Sequence, residues 1–336
     1  TPSEVAAEIG EIEFLPLRVT FEAKDDGRLP PFLGSALRGA LGWSLRRVSC
    51  ALRRESCPSC IVRERCAYGY IIETGRPNGA ERLRGHRDVP HPYMLEPPAP
   101  GAGEWRAGAD LSFGLVLFGR AAEYVGYLVV ALREMAQRGL GRNRLRFELT
   151  AVDEILPHRR PAAVYRPGAP LSAVRSARLR DAVAGRPACE RVVLELLTPT
   201  RLTDGGALTR RPGFHVLVRA LLLRGLAMRS LHGSADVDFD VQGLVRRAEP
   251  VETRADGLRL LRLDRYSSRQ GALVPLDGMV GTVEFSGDAV RELWPLLEAG
   301  EVLGVGKGTA FGLGRYRMRE HGVVGARASC GVRATR

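Results

Sequence analysis

Lysine is nearly absent from this chain. Of 50 basic residues only Lys24 and Lys307 are lysines, and the rest are arginines. Histidine is also scarce: there are six, and none precedes His86. Any histidine chemistry must therefore draw on residues from His86 onward. No apolar run is long enough to span a bilayer, and no leader-like segment opens the sequence, so no membrane partner and a cytosolic setting are expected. Six cysteines in 336 residues do not make a secreted disulfide framework. No GK[ST] opens a helix, which excludes a Walker loop. No clustered carboxylates suggest a magnesium site.

What the chain has in excess is positive charge. Its formal net charge is +12 and its pI about 10.0, with 45% hydrophobic residues. It is globular, long enough for two domains, and suited to a polyanionic partner, nucleic acid first. Residues 304–316, GVGKGTAFGLGRY, concentrate this chemistry. Gly306, Gly308, Gly312 and Gly314 permit left-handed backbone, and successive N–H groups in such a bend can form a concave phosphate cradle. Lys307 and Arg315 add charge beside it. The alternative is a tight hairpin packing strand against helix.

A second concentration is Cys50, Cys57, Cys60 and Cys66, spaced C-x6-C-x2-C-x5-C. Four thiols this close can reach one tetrahedral ion. Structural zinc is the first expectation, four reduced thiols without a metal the second, and an iron–sulfur cluster the third. Four protein ligands leave no open position, so any such site is read as structural.

The periodicity predicts strands over 10–24, 110–118, 144–155, 190–203, 257–266, 278–286 and 310–318. Helices are predicted over 32–49, 121–138, 212–232 and 288–299. A long Gly/Pro/Arg-rich connection fills 75–109, with a short strand near Tyr93 to Leu95. Residues 156–187, with seven arginines against one carboxylate, read as a basic linker. The second half follows strand, helix, strand, strand, helix, strand, the ferredoxin-like order, and the first half repeats it around its cysteine-rich insertion. The expected class is α+β: two tandem ferredoxin-like (RRM-like, βαββαβ) domains. The expected boundaries are 1–155 with a four-cysteine insertion at 50–66, linker 156–187, second domain 188–320 and tail 321–336.

The motifs TPTR (198–201), FHVLVRALLLR (214–224), RYSSRQ (265–270), GMVGTVEF (278–285) and GVGKGTAFGLG (304–314) occur in a telling order. With LRGALG (37–42) and PHPYMLEPP (90–98), they resemble the CRISPR-associated repeat-processing endoribonucleases of the RAMP superfamily, the Cas-six type. The branch with a cysteine cluster after the first helix is the nearer likeness. The resemblance implies recognition of CRISPR repeat RNA and cleavage within the repeat without a catalytic metal. In that reaction a 2′-OH attacks the adjacent phosphate, leaving a 2′,3′-cyclic phosphate and a mature crRNA. Other Cas effector subunits are implied as further partners.

That chemistry needs a proton acceptor, a proton donor and cations around the phosphorane. His232 is the first candidate as general acid or base, with Tyr266 and Arg269 in support. His232 also lies on the apolar stripe of its helix, which would suit a C-cap or core histidine. Candidate RNA ligands are Arg38 and Arg46 on the first long helix, His215 and Arg219 on the third, Arg265 and Ser268 at a strand end, and the glycine loop with Lys307 and Arg315. Two other readings fit the same residues. One is a RAMP subunit that holds the repeat-derived end of crRNA without cutting, and the other is a zinc-stabilised scaffold for protein partners.

Overall fold

The computed structural model describes residues 1–52, 56–75, 89–99, 101, 103–183, 185–233, 239–267 and 271–319. Its elements, in chain order, are α1 (Pro2–Gly10), β1 (Glu13–Ala23), α2 (Gly34–Ser49), α3 (Ala67–Ile71), β2 (Tyr93–Glu96), β3 (Asp110–Phe118), α4 (Val125–Arg138), β4 (Phe147–Glu154) and β5 (Ala162–Tyr165). The second half adds β6 (Arg191–Thr200), α5 (Phe214–His232), α6 (Val241–Ala248), β7 (Glu252–Leu261), β8 (Asp264–Ser267), β9 (Ala272–Pro275), β10 (Gly278–Ser286), α7 (Trp294–Leu303) and β11 (Tyr316–Arg319). Two short helical turns, Leu179–Ala182 and Asp288–Glu292, with 3-10 turns and two-residue strands, join them.

Alternating apolar side chains make β1 a strand, with Leu15, Leu17, Val19, Phe21 and Ala23 all buried. It lies antiparallel between β3 and β4. The first sheet runs β2-β3-β1-β4-β5 and the second β7-β10-β6-β11. Both follow the ferredoxin-like arrangement, in which the first strand lies between the third and the fourth. The helices α2 and α4 cover one face of the first sheet. Leu37, Leu41 and Leu45 of α2 meet Leu128, Leu132 and Met135 of α4 in its core. α4 stops at Gly139, whose φ of 88° takes the chain out of the helix while its N–H bonds the Met135 and Ala136 carbonyls.

The core of the second unit also takes in Phe14, Met94, Val116 and Phe118, from the opposite face of the first sheet. The two units are therefore fused through β1, β2 and β3. The helix α1, absent from the sequence expectation, completes this junction. Thr1 and Glu4 form a capping box, and Val5 and Ile9 are buried in the second unit's core.

Four boundaries differ from expectation for physical reasons. Within the expected linker, residues 162–165 form β5, an edge strand on β4, and residues 177–178 pair with β1. The strand expected over 257–266 ends at Leu261, and β8 and β9 then form a separate hairpin. The helix expected over 288–299 breaks at Leu293, which precedes the Trp294–Pro295 step that opens α7. The last strand starts only at Tyr316, because residues 309–311 form a 3-10 turn bounded by left-handed Gly308 and Gly312.

Candidate nucleic-acid interface

Three segments meet at the seam between the units: the start of α2, the root of the β8–β9 hairpin and the glycine loop. Phe32, Leu276 and Leu313 form a small buried cluster, with Leu263 and Phe311 packed against it. At this point α2 carries Gly34, because a side chain there would run into the Phe311 carbonyl and ring of Phe32. The hydrophobic cluster holds Phe311 as a fixed platform. The Arg38 guanidinium lies 5.3 Å from its ring centroid and that of Arg265 4.8 Å. Both are within cation–π range. Two cations from different units thus share one aromatic ring.

Neither arginine is neutralised by a carboxylate among the described residues, and the buried Nε atoms of Arg38, Arg265 and nearby Arg201 make no hydrogen bond. Burial, then the Arg38 charge, pull the Arg265 guanidinium below its ordinary pKa. Two like charges held this close are costly unless an anion joins them. Arg201 lies alongside, donating from Nη1 to the Pro275 carbonyl at 2.5 Å. Its own carbonyl accepts from the Lys307 N–H at 3.1 Å. The Lys307 side chain is exposed at this edge.

The glycine loop itself faces inward. The N–H groups of Val305, Lys307, Phe311, Gly312, Leu313 and Gly314 donate to backbone carbonyls within the chain, and that of Arg315 donates to Thr198 Oγ1. These groups are unavailable to a phosphate. At Gly312 a side chain would strike Pro97 and the Leu95 carbonyl, in the first unit. Gly304 and Gly312 are spent on close packing against Met94, Leu95 and Pro97 of the first unit, and Gly306 and Gly314 on the Arg201 and Val305 carbonyls; of the four glycines expected to form the cradle, Gly312 and Gly314 have their N–H groups taken within the chain.

His232, the first catalytic candidate, is only 6% exposed. Its Nε2 lies 2.9 Å from the Pro90 carbonyl and its Nδ1 3.0 Å from the Tyr70 hydroxyl. A carbonyl can only accept, so Nε2 carries the proton and Nδ1 accepts from the tyrosine. Tyr70 meets the imidazole edge-on, and Arg120 lies 5.2 Å from the centroid of its ring. Burial pushes His232 down to about 4 and Tyr70 up to about 12. His91 has a similar setting: burial, then the Arg38 charge, lower it to about 4, and its Nδ1 lies 3.0 Å from Thr74 Oγ1. Both histidines are neutral and internally partnered at neutral pH.

The other expected ligands disperse. Arg46 lies 5.7 Å from the Tyr68 ring centroid, beside the cysteine segment. Arg219 is paired with Asp204 at 3.0 Å, with His215 near the same carboxylate. Arg315 is paired with Glu96 at 3.1 Å. Ser268 and Arg269 lie outside the described residues, as does the Tyr266 side chain. Sequence reasoning missed Phe311, Arg201 and Tyr70. Phe311, the single aromatic among the glycines before Tyr316, was the available signal.

The zinc expectation needs correction. Cys50, Cys57, Cys60 and Cys66 are half-buried free thiols lining one small cavity. Yet no group of three or more His, Cys, Asp or Glu side chains among the described residues could hold a metal ion. Two of the thiols serve packing instead: Cys57 and Cys66 rest against the first unit's core, and the Cys66 sulfhydryl points to the Ser49 carbonyl at 3.9 Å. Among the described residues, no helix is long and apolar enough to cross a membrane.

Comparison with known proteins places this geometry. Residues 12–179, half of the chain, match the family model AF_1859_N, an N-terminal domain. Residues 194–316 match the model of the CRISPR-associated endoribonuclease Cas6. An uncharacterized protein of Archaeoglobus fulgidus is 24% identical over 296 residues, 87% of this chain and 93% of its own. A Cas6 product complex superposes with a TM-score of 0.55 at 19% identity, covering 91% of this chain and 100% of that one. A chain of a partial Cas6-RT-Cas1–Cas2 complex does so with a TM-score of 0.57 at 13% identity, covering 95% of this chain and 48% of its own. These superpositions support the tandem ferredoxin-like fold. The chain belongs to the family defined by that N-terminal domain, and its second half is similar to the CRISPR-associated endoribonuclease Cas6 over residues 194–316.

Proposed function

We propose that this protein binds CRISPR repeat RNA at the seam between its units and cleaves it there. The observation that carries this reading is the pair Arg38 and Arg265, drawn from separate units onto the Phe311 ring with no acid among the described residues to neutralise them. A phosphate between them would relieve their repulsion and supply acceptors for the unpaired N–H groups. Arg201 and Lys307 would extend the contact along the strand.

The proposed reaction is attack of a ribose 2′-OH on the adjacent phosphate. Charge builds on the non-bridging oxygens in the transition state, and fixed guanidinium groups in a partly dry site stabilise it directly. Preorganisation matters here: the arginines rest on a ring locked by Phe32, Leu276 and Leu313. His232 takes no part in proton transfer in this scheme. It clasps the units, because both its nitrogens are committed. Tyr266 and Arg269 remain candidates from the hairpin for proton transfer and phosphate contact. A Cas6 product complex and a Cas6-RT-Cas1–Cas2 complex among the structural relatives support RNA and other Cas proteins as partners.

The experiment is incubation with the host's repeat RNA in EDTA, followed by analysis of product ends. The expected products carry a 2′,3′-cyclic phosphate and a 5′-OH, at a rate EDTA does not change. Loss of cleavage in EDTA with rescue by magnesium alone would contradict the scheme. A second reading, tight binding without cleavage, is favoured by one observation: His232 is buried with both ring nitrogens partnered, and half-buried His91 has its Nδ1 against Thr74 Oγ1. Salt-sensitive binding with an intact substrate would establish it.

A further inference from the structure

A second basic surface lies away from the Arg38–Arg265 pair. It is a groove of about 900 Å³ lined by α2, the end of α4 with the turn that follows it, and Leu273 of the β8–β9 hairpin. Its lining includes Trp43, Arg138, Arg142 and Arg144, and no carboxylate among the described residues. Trp43 is 38% exposed and Leu273 69% exposed, both high for large apolar side chains. The Arg138 guanidinium sits 3.4 Å from the indole centroid, and that of Arg47, itself ion-paired with Glu134 at 2.9 Å, lies 5.6 Å from it. Indole and guanidinium together form a stacked platform flanked by exposed cations.

Gly39 sharpens the case. It stands on the exposed side of α2, where glycine weakens a helix relative to alanine. A side chain there would meet nothing within 4 Å, so the chain's own packing does not ask for glycine. The open space lies in the groove lining, next to Trp43.

We infer that this groove is a docking site for single-stranded RNA, in which a base stacks on the Trp43–Arg138 platform and flanking phosphates meet Arg142 and Arg144. Stacking on aromatic rings and guanidinium planes is how unpaired bases are held, and the lining charge matches the phosphates. The β8–β9 hairpin contributes to both surfaces: Leu273 lines the groove, and Arg265, paired with Val274 across the hairpin, lies over Phe311. This adds a second RNA surface to the proposed function. It shares with that reading only the ligand class.

The test uses a short oligoadenylate, unrelated to any repeat, and intrinsic tryptophan fluorescence. Oligoadenylate is expected to quench the wild-type protein. Trp43→Leu should abolish most of the quench and weaken binding about tenfold, the loss of one stacked base. Gly39→Gln should keep or raise the melting temperature, since glutamine favours helix, while weakening binding to a similar degree by filling the groove. Arg265→Ala, at the seam, should leave the Trp43 quench in place, so failure of the seam reading and failure of this one are distinguishable. Unchanged binding by a folded Gly39→Gln variant, or quenching that survives Trp43→Leu, would overturn the inference. Stronger quenching of Trp43 by a poly-glutamate peptide than by oligoadenylate would overturn it too, in favour of an acidic protein partner.

Discussion

Two polar clusters lie at the same seam and behave in opposite ways. In one, Tyr70, His232 and the Pro90 carbonyl satisfy each other, and every hydrogen-bonding nitrogen of the imidazole has a partner. In the other, Arg38 and Arg265 share a ring and leave N–H groups unpaired. A closed polar network holds a fold together, whereas an open one of like charge costs stability until a ligand completes it. Charge pairing distinguishes them where residue type misleads: the histidine belongs to the fold and the arginines to the proposed site.

If that contrast is right, damage to the inward-facing elements should register as stability. The largest loss is expected for Gly312→Val, about 4 kcal/mol, combining strain at positive φ with collision against Pro97 and the Leu95 carbonyl. Chemical denaturation measures it. RNA affinity should fall only in proportion to unfolded protein, and an affinity loss in fully folded Gly312→Val would restore the phosphate cradle.

His232→Ala should cost about 2–3 kcal/mol, since it leaves the Tyr70 hydroxyl and Pro90 carbonyl unpaired. The pH profile carries a sharper signature. Burial lowers His232 and His91 from 6.5 to about 4 in the folded state. The unfolded chain therefore binds more protons between those values. Their contribution is fully present above pH ~6.5 and is lost as pH falls towards ~4, by roughly 3 kcal/mol for each group. Unfolding free energies across this window should show the slope, and His232→Ala should remove its share. An unchanged slope would reopen His232 as an accessible acid or base.

The smallest expected effect is that of Lys307→Ala. Losing one phosphate contact should reduce the log–log salt slope of binding to single-stranded repeat RNA by about 0.7, with no change in melting temperature. An unchanged slope would remove this lysine from the interface.

The fold was legible wherever one side chain's environment depends on near neighbours. Alternation in β1 and the apolar stripe of α4 with its Gly139 stop gave their elements directly. The interface was harder to read, because it depends on where groups point across long separations. Glycines at 304–314 announced tight backbone, but sequence cannot tell whether their N–H groups face a ligand or the chain, and here most face the chain. His232 announced its burial by sharing a stripe with Phe214, Val218, Leu221 and Met228. Its partner Tyr70, 162 residues away, was invisible. The cysteine spacing brought four thiols around one cavity, yet ligation also requires the sulfurs to converge on one point, which spacing does not determine.

The central claim is that the Arg38–Arg265 pair awaits a phosphate. The most direct measurement is repeat-RNA affinity of the Arg38→Ala/Arg265→Ala double variant at low salt, beside its melting temperature without RNA. Loss of two charge-assisted contacts should weaken binding about 100-fold or more, while relief of their repulsion leaves the melting temperature equal or higher. Unchanged affinity, with a melting temperature that falls, would mean that the two arginines serve the fold and that the RNA binds elsewhere.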